Sequence, residues 1–178
     1  MSNNQHEPPN EAVRVRPATP ADASVIIQLI RELAVYEREP LTSVKATEAD
    51  ILRDGFGPER RFECLLVEVG GRPAGFALFF HNYSTWEGRA GLYVEDLYVS
   101  EWARGRNIGR RLLGEVAAIA EARGYQRVDL AVLDWNPARG FYERIGMAEL
   151  TTWRPYRLKG EALASLAAEA RTAAEGGP

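Results

Sequence analysis

Apolar positions along the chain follow two periods, and their order predicts a mixed α/β domain. Val13-Arg14-Val15-Arg16 alternates and stops at Pro17, which reads as a short first strand. Thr19-Pro20-Ala21-Asp22 then has the form of a helix start, with Thr19 as N-cap, Pro20 at the first helical position and an acid at the third. Ile26, Leu29, Ile30, Leu33 and Tyr36 follow at helical spacing, so this helix has one buried face. Pro40 lies in a loop, and a shorter helix starts at Thr47, with Asp50 three residues on, and ends near Gly55. Phe62 to Val69 and Pro73 to Tyr83 are apolar, β-prone runs joined by Gly70-Gly71, the pattern of a hairpin. His81 to Gly88 reads as a polar, aromatic connection, and Gly91 to Val99 as a third long strand. Ile108, Leu112, Val116 and Ile119 mark a helix that ends at Gly124. A buried strand over Val128 to Leu133, a helix over Pro137 to Ile145, a last strand within Met147 to Leu158 and a helix over Glu161 to Ala174 complete the pattern. An antiparallel meander feeding a strand–helix–strand unit makes the sheet mixed and not doubly wound.

Composition narrows the function classes. At 178 residues the chain is long enough for one domain with a real core. Residues 1–12 are polar, with Pro8-Pro9, and read as a mobile tail; the domain proper spans 13–159, and 160–178 form a helix and a frayed end. Lys plus Arg number 22 against 25 Asp plus Glu, a net charge of −3. That balance argues against a dedicated nucleic-acid binder. The apolar runs are too short to span a bilayer, and the N-terminus lacks the form of a secretory signal. The single cysteine, Cys64, excludes an internal disulfide framework and fits a reducing, cytoplasmic setting. It sits among Phe62, Leu65, Leu66 and Val67, where a core thiol is expected. Two histidines, His6 and His81, leave little for a metal site or a Ser-His-Asp triad, so no metal is expected.

The informative stretch joins the third long strand to the next helix. Arg104, Arg106, Arg110 and Arg111 crowd a helix start, where cations oppose the helix dipole by about 0.3–1 kcal/mol each when exposed. A bound polyanion removes that conflict: loop and helix-start amides cradle a phosphate, arginines pair with it, and Gly105 and Gly109 admit close backbone approach. A solvated basic turn is the plain alternative. Two carboxylates, Glu95 and Asp96, lie just upstream, and strict strand alternation puts them on opposite faces.

Arg104-x-x-Asn107-x-Gly109, after Val94-Glu95-Asp96-Leu97-Tyr98-Val99, resembles the pyrophosphate loop of the GNAT N-acetyltransferases, usually (Arg/Gln)-x-x-Gly-x-(Gly/Ala). Asn107 stands where a glycine is usual; Asn is the next most tolerant of left-handed backbone. The resemblance runs from Val13 to Leu158. Arg16-Pro17-Ala18-Thr19, Glu32-Leu33-Ala34-Val35-Tyr36-Glu37, Asp54-Gly55-Phe56-Gly57 and Asp134-Trp135-Asn136-Pro137-Ala138-Arg139-Gly140-Phe141-Tyr142 are similar to the spermidine/spermine (diamine) acetyltransferase branch, with one residue missing after Asn136.

The resemblance implies the GNAT fold, a mostly antiparallel, twisted mixed sheet flanked by helices, and acetyl-CoA as co-substrate. Leu97, Tyr98 and Val99 would bind the pantetheine. Arg104, Gly105, Arg106, Asn107, Ile108, Gly109 and Arg110 would bind the pyrophosphate, with Asn136 and Ala138 near the CoA arm. Tyr36, Glu37 and Glu95 would contact the amine. Glu95 matches the family's base, acting directly, through water or only in binding the cation. Tyr142 matches its general acid, against a packing role for the ring. A phenol of pKa about 10 can protonate a departing thiolate of pKa about 8.5. Thr151-Thr152-Trp153-Arg154 replaces acidic residues of the polyamine enzymes, which brings diamines and lysine-like amino acids beside polyamines as acceptors. Relatives that pair through C-terminal strands imply a homodimer here, with Trp153 to Leu158 as an edge otherwise exposed. A non-catalytic acyl-CoA-binding module of the same fold is the alternative; retention of Glu95 and Tyr142 argues against it.

Overall fold

Thr19 to Asp22 turns the chain out of its first strand as the sequence predicts. In the computed structural model, which describes residues 11–175, the Asp22 carboxylate accepts from both the backbone N–H and the hydroxyl of Thr19 at 2.8 Å. The same carboxylate takes two hydrogen bonds from Arg16, each 2.8 Å, and Arg16 also donates to Glu68. Arg16 holds the Asp22 carboxyl well below the usual carboxylate range. One ion cluster thus ties β1 (Val13–Pro17) and β2 (Glu63–Val69) to the start of α1 (Ala23–Tyr36). Thr47 and Asp50 form the second predicted cap, which opens α2 (Glu48–Phe56).

Five strands form one sheet in the order β1-β2-β3-β4-β5, with β3 at Arg72–Ser84, β4 at Arg89–Val99 and β5 at Val128–Leu130. The first four are antiparallel and β5 joins β4 in parallel, so the sheet is mixed as expected. Cross-strand pairing continues through His81 to Ser84, so β3 and β4 absorb most of the predicted polar connection and leave only Thr85 to Gly88 between them.

One face of the sheet packs on α1 and α2. Ile26, Leu29, Leu33 and Ile51 meet Cys64, Leu66, Phe76, Leu78 and Tyr98 there. Burying each large apolar side chain contributes about 1.5–3 kcal/mol. Burial also pushes the Cys64 thiol up to about 12, so it stays a protonated core group as predicted. The opposite face receives α3 (Ile108–Ala122) through the fully buried Ile108, Leu112 and Val116.

Two expectations fail. The strand predicted to reach Leu133 stops at Leu130, because β4 offers no regular register beyond Val94, where it bulges. The last strand expected within Met147 to Leu158 does not form. Trp153 N–H closes a turn onto the Leu150 carbonyl, Pro155 lacks a donor, and no described strand pairs with this segment. Leu150, Trp153, Tyr156 and Leu158 are exposed.

Contacts divide the chain at Trp135/Asn136 into two compact units. The first holds the sheet and α1 to α3. The second holds α4 (Arg139–Arg144) and α5 (Gly160–Glu175). The tail predicted over residues 1–12 lies outside the described residues up to position 10, as do 176–178 of the predicted frayed end.

Candidate active site

The β4 strand outruns its partner. Only Leu92 to Val94 pair with β5, and Glu95 to Val99 continue without a described strand on that side. The pairing with β3 shifts at the same place: Phe79 opposes Val94, Leu78 opposes Asp96, and Glu95 has no opposite number. Glu95 is the extra residue of a β-bulge.

The bulge changes which way the carboxylates point. Directly opposed residues share a face. Leu78 lies in the cluster with α1, so Asp96 is on that face, while Val94, opposite Phe79, is on the other. The expectation that strict alternation sends Glu95 and Asp96 to opposite faces loses its basis here: the inserted residue interrupts the alternation it relied on, and Glu95 is exposed. The Asp96 carboxyl feels the charge of Glu95 and that of Glu37 at the end of α1.

Asp96 is half-buried, and the burial, with Glu95 and then Glu37 nearby, pushes its carboxyl up to about 6. Burial and Glu39 raise Glu37 as well. Two consequences follow. Three clustered carboxylates form a negative site suited to an ammonium ion. The cluster also costs stability. Because the folded value of Asp96 lies above its ordinary value of about 3.9, the folded state holds the proton more tightly. Stability therefore falls as pH rises from about 4 through about 6, and the whole penalty is present above that. Asp96→Asn is expected to stabilise the protein by about 1–3 kcal/mol at pH 7 and to flatten the stability profile between pH 4 and 6. Urea melts at pH 4, 5, 6 and 7 check this; a less stable variant at pH 7 would contradict it.

Aromatic rings pack where the end of α1 meets β4. Tyr36 lies with ring centroids 6.4 Å from Tyr98 and 6.4 Å from Trp135. The Arg104 guanidinium sits 4.4 Å from the Tyr36 ring centroid and 5.8 Å from that of Tyr98, and its Nε donates to the Val99 carbonyl at 3.0 Å. Arg38 lies over Trp135 at 4.2 Å. The Ser100 hydroxyl, buried at the end of β4, donates to Glu32 Oε2 at 2.7 Å, so α1 also anchors the strand end.

The β4–α3 loop takes the form that its residues predict. Gly105 has φ +81°, and Asn107 adopts the left-handed region at φ +57°, ψ +18°, as the N-cap of α3. Asparagine there does what a glycine would do at lower conformational cost. Its side chain makes no capping bond, so the first amides of α3 remain available to an anion. Ile108 is buried and anchors the helix, Gly109 is half-buried, and Arg110 and Arg111 are exposed without an ion pair among the described residues. Arg106 pairs with Glu11 at 3.3 Å. Arg104 points back over Tyr36, not out over this loop.

The remaining predicted residues lie in the second unit. Asn136 is buried, and its Oδ1 accepts from Ala138 N–H at 2.9 Å in the turn that opens α4. Tyr142, on α4, is half-buried beside Phe141, ring centroids 5.2 Å apart. Sequence reasoning missed Asp96 and Trp135 as partners of the site. Asp96 is adjacent to Glu95 in the chain, yet only the bulge reveals its direction. Trp135 belongs to the segment that carries the resemblance, yet nothing local in the chain pairs it with Tyr36.

The chain is similar to known proteins. The profile of the Acetyltransferase (GNAT) family matches residues 27–147. Thialysine N-epsilon-acetyltransferase of Bos taurus is 38% identical over 167 residues, covering 87% of this chain and 97% of that protein. Spermidine/spermine N(1)-acetyltransferase-like protein 1 of Homo sapiens is 34% identical over 167 residues, 88% of this chain and 24% of that longer protein. An integron cassette protein from the mobile metagenome of V. cholerae superimposes with a TM-score of 0.73 at 26% identity, over 87% of this chain and 97% of that one. A family profile over more than half of the chain and a relative matched almost end to end, on a bulged β4 that runs into an arginine-rich helix start, make this protein a member of the GNAT acetyltransferase family.

Proposed function

We propose that the protein moves the acetyl group of acetyl-CoA to a primary amine of a small acceptor, a polyamine, diamine or lysine-like amino acid. GNAT acetyltransferases use acetyl-CoA as co-substrate, and the relatives above are N-acetyltransferases of thialysine and of the spermidine/spermine type by name. The observation that carries the reading is the bulge at Glu95. It lies beside Asp96, whose carboxyl feels the charges of Glu95 and Glu37, at the place where β4 loses its neighbour.

Each residue then has a task in a single ternary complex. Leu97, Tyr98 and Val99 present backbone groups along the open edge of β4 to the pantetheine. The segment from Arg104 to Arg110 receives the pyrophosphate on the left-handed turn at Gly105 and Asn107 and on the α3 amides. Within it, Arg110 supplies charge, while Arg104 braces Val99 against Tyr36. Asn136 and Ala138 line the CoA arm. The ammonium of the acceptor meets Tyr36, Glu37 and Glu95, and Glu95, directly or through water, takes its proton. The neutral nitrogen attacks the thioester carbon, the N–C bond forms, the C–S bond breaks, and Tyr142 gives its phenolic proton to the departing thiolate. The proposed transfer calls on no resident metal.

Free-thiol release from acetyl-CoA in the presence of polyamines, diamines, amino acids, aminoglycosides and peptides tests the reading. Release with a small primary amine is expected. Thermal stabilisation by CoA with no acetylation of any amine would instead favour the non-catalytic acyl-CoA-binding module. We further infer a cytoplasmic homodimer. The exposed Leu150, Trp153, Tyr156 and Leu158 supply apolar surface for pairing, and a solution mass near 19.8 kDa at micromolar concentration would exclude the pair. No helix among the described residues is long and apolar enough to cross a membrane.

A further inference from the structure

Ser100 is the residue at which β4 ends and the chain turns toward the loop before α3, and each of its polar groups is committed. Its N–H donates to the Ala74 carbonyl beside β3 at 2.9 Å. Its carbonyl accepts from Ala103 N–H at 2.9 Å and closes the turn Glu101–Ala103. Its hydroxyl donates to Glu32 Oε2 at 2.7 Å, across 68 positions of sequence. The side chain is buried, so that hydroxyl depends on Glu32 in place of water.

The direction of the Ser100 amide fixes the residue before it. Alternate residues of a strand turn their backbone groups to opposite edges. With Ser100 N–H aimed at β3, the N–H and C=O of Val99 face the edge that no described strand covers. The Val99 carbonyl takes Arg104 Nε there at 3.0 Å. Past Ser100, Ala103 is fully buried and Arg104 N–H bonds to the Glu101 carbonyl, and the chain then reaches the left-handed turn at Gly105 and Asn107. One pinned residue therefore joins the open edge of β4 to the arginine-rich loop.

Glu32 is an unusual partner for that role. It lies three residues after Leu29 and four before Tyr36, at the margin of the apolar stripe of α1. Gln28, one turn earlier, donates to its Oε1 at 3.2 Å, so the carboxylate is held from two sides. Burial raises the Tyr98 hydroxyl above its ordinary range, and the charge of Glu32 adds to that while Arg104 opposes it, which places the same carboxylate beside a second residue of the strand end. We propose that Glu32 is a positioning residue for acetyl-CoA: through Ser100 it fixes where the open edge of β4 stands relative to the loop from Arg104 to Arg110, so that one cofactor engages both. The proposal rests on the assignment of those two segments to the pantetheine and the pyrophosphate. A ligand that spans two subsites gains from their fixed separation, whereas a ligand confined to one does not.

CoA and 3′-phospho-ADP, its nucleotide half, separate the two cases in binding titrations. Glu32→Leu removes the acceptor and Ser100→Ala removes the donor. Each is expected to raise the Kd for CoA and the KM for acetyl-CoA by about five- to tenfold, with kcat, the KM for the amine and the Kd for 3′-phospho-ADP within about twofold of wild type. The double variant is expected to be no weaker than the weaker single, since one contact is lost either way. Glu32→Gln keeps an oxygen for the Ser100 hydroxyl and is expected within about threefold of wild type. Wild-type CoA affinity in both single variants, additive losses in the double variant, or equal losses for CoA and 3′-phospho-ADP would each overturn the proposal. Should Glu32→Leu melt without cooperativity, Ser100→Ala with the same two ligands decides. A wild type that binds no CoA overturns the cofactor assignment and this proposal with it; a wild type that binds CoA, matched by both single variants, overturns the role of Glu32 alone.

Discussion

Tyr142→Phe is expected to lower kcat by about 10²–10⁴-fold while leaving acetyl-CoA affinity close to that of wild type. The substitution keeps the ring that stands beside Phe141 on α4 and removes only the proton donor. Without a donor, the leaving group departs as an unprotonated thiolate or waits for water, and the transition state for C–S cleavage rises. A packing role predicts the reverse: near-normal kcat for Tyr142→Phe, with damage only when the ring is deleted. The rate is to be measured at saturating amine, so that weaker binding is not read as slower chemistry. Where product departure limits turnover, a pre-steady-state burst exposes the chemical step. A kcat within about threefold of wild type in that measurement would remove Tyr142 from the reaction and point to a bound water as the proton source.

Glu95→Gln is expected to have an effect of similar size with a different signature. The variant keeps the length of the side chain and the bulge, and removes the proton acceptor. A general base matters most when the amine is charged, and a primary ammonium of ordinary pKa about 10 is almost wholly charged at pH 7. The loss in kcat/KM is expected to be about 10²–10⁴-fold at pH 7 and to shrink as pH rises toward 10, because solvent then deprotonates the amine. If Glu95 only attracts the cation, the loss appears in the KM for the amine and kcat is spared. A loss in kcat that stays constant from pH 7 to 10 would argue against proton transfer at Glu95. Asp96→Asn provides the contrast. Asp96 is the neighbouring carboxylate and is held at about 6, so removing it stabilises the fold while weakening the negative field around Glu95. A larger kinetic loss for Asp96→Asn than for Glu95→Gln would move the base to Asp96.

Local chemistry in the sequence was sufficient for most of the frame. Thr19 with Asp22 and Thr47 with Asp50 specify helix starts within four residues, because a side-chain oxygen three positions away meets the same amide in any context. The stripes of α1 and α3 specify their buried faces for the same reason, since a period near 3.6 depends on the helix alone. Asn107 was legible too: left-handed tolerance is a property of the residue, and the loop uses it at φ +57°. What the residues alone left open depended on partners distant in the chain. The strict alternation expected through Glu95 and Asp96 is interrupted by the register of β4 against β3, which leaves a single residue unpaired. The same bulge ended β5 after Leu130, and the last predicted strand failed because a strand needs an edge to pair with, which periodicity cannot supply. Trp135 reaches Tyr36 across about a hundred residues of chain, and with it comes the surface on which Arg38 lies. Spacing along the chain therefore determined which side chains stand on one helix or in one loop. Only the tertiary structure decided where the alternation of β4 breaks and which cations remain unpaired, because those depend on cross-strand register and on rings brought in from elsewhere in the fold.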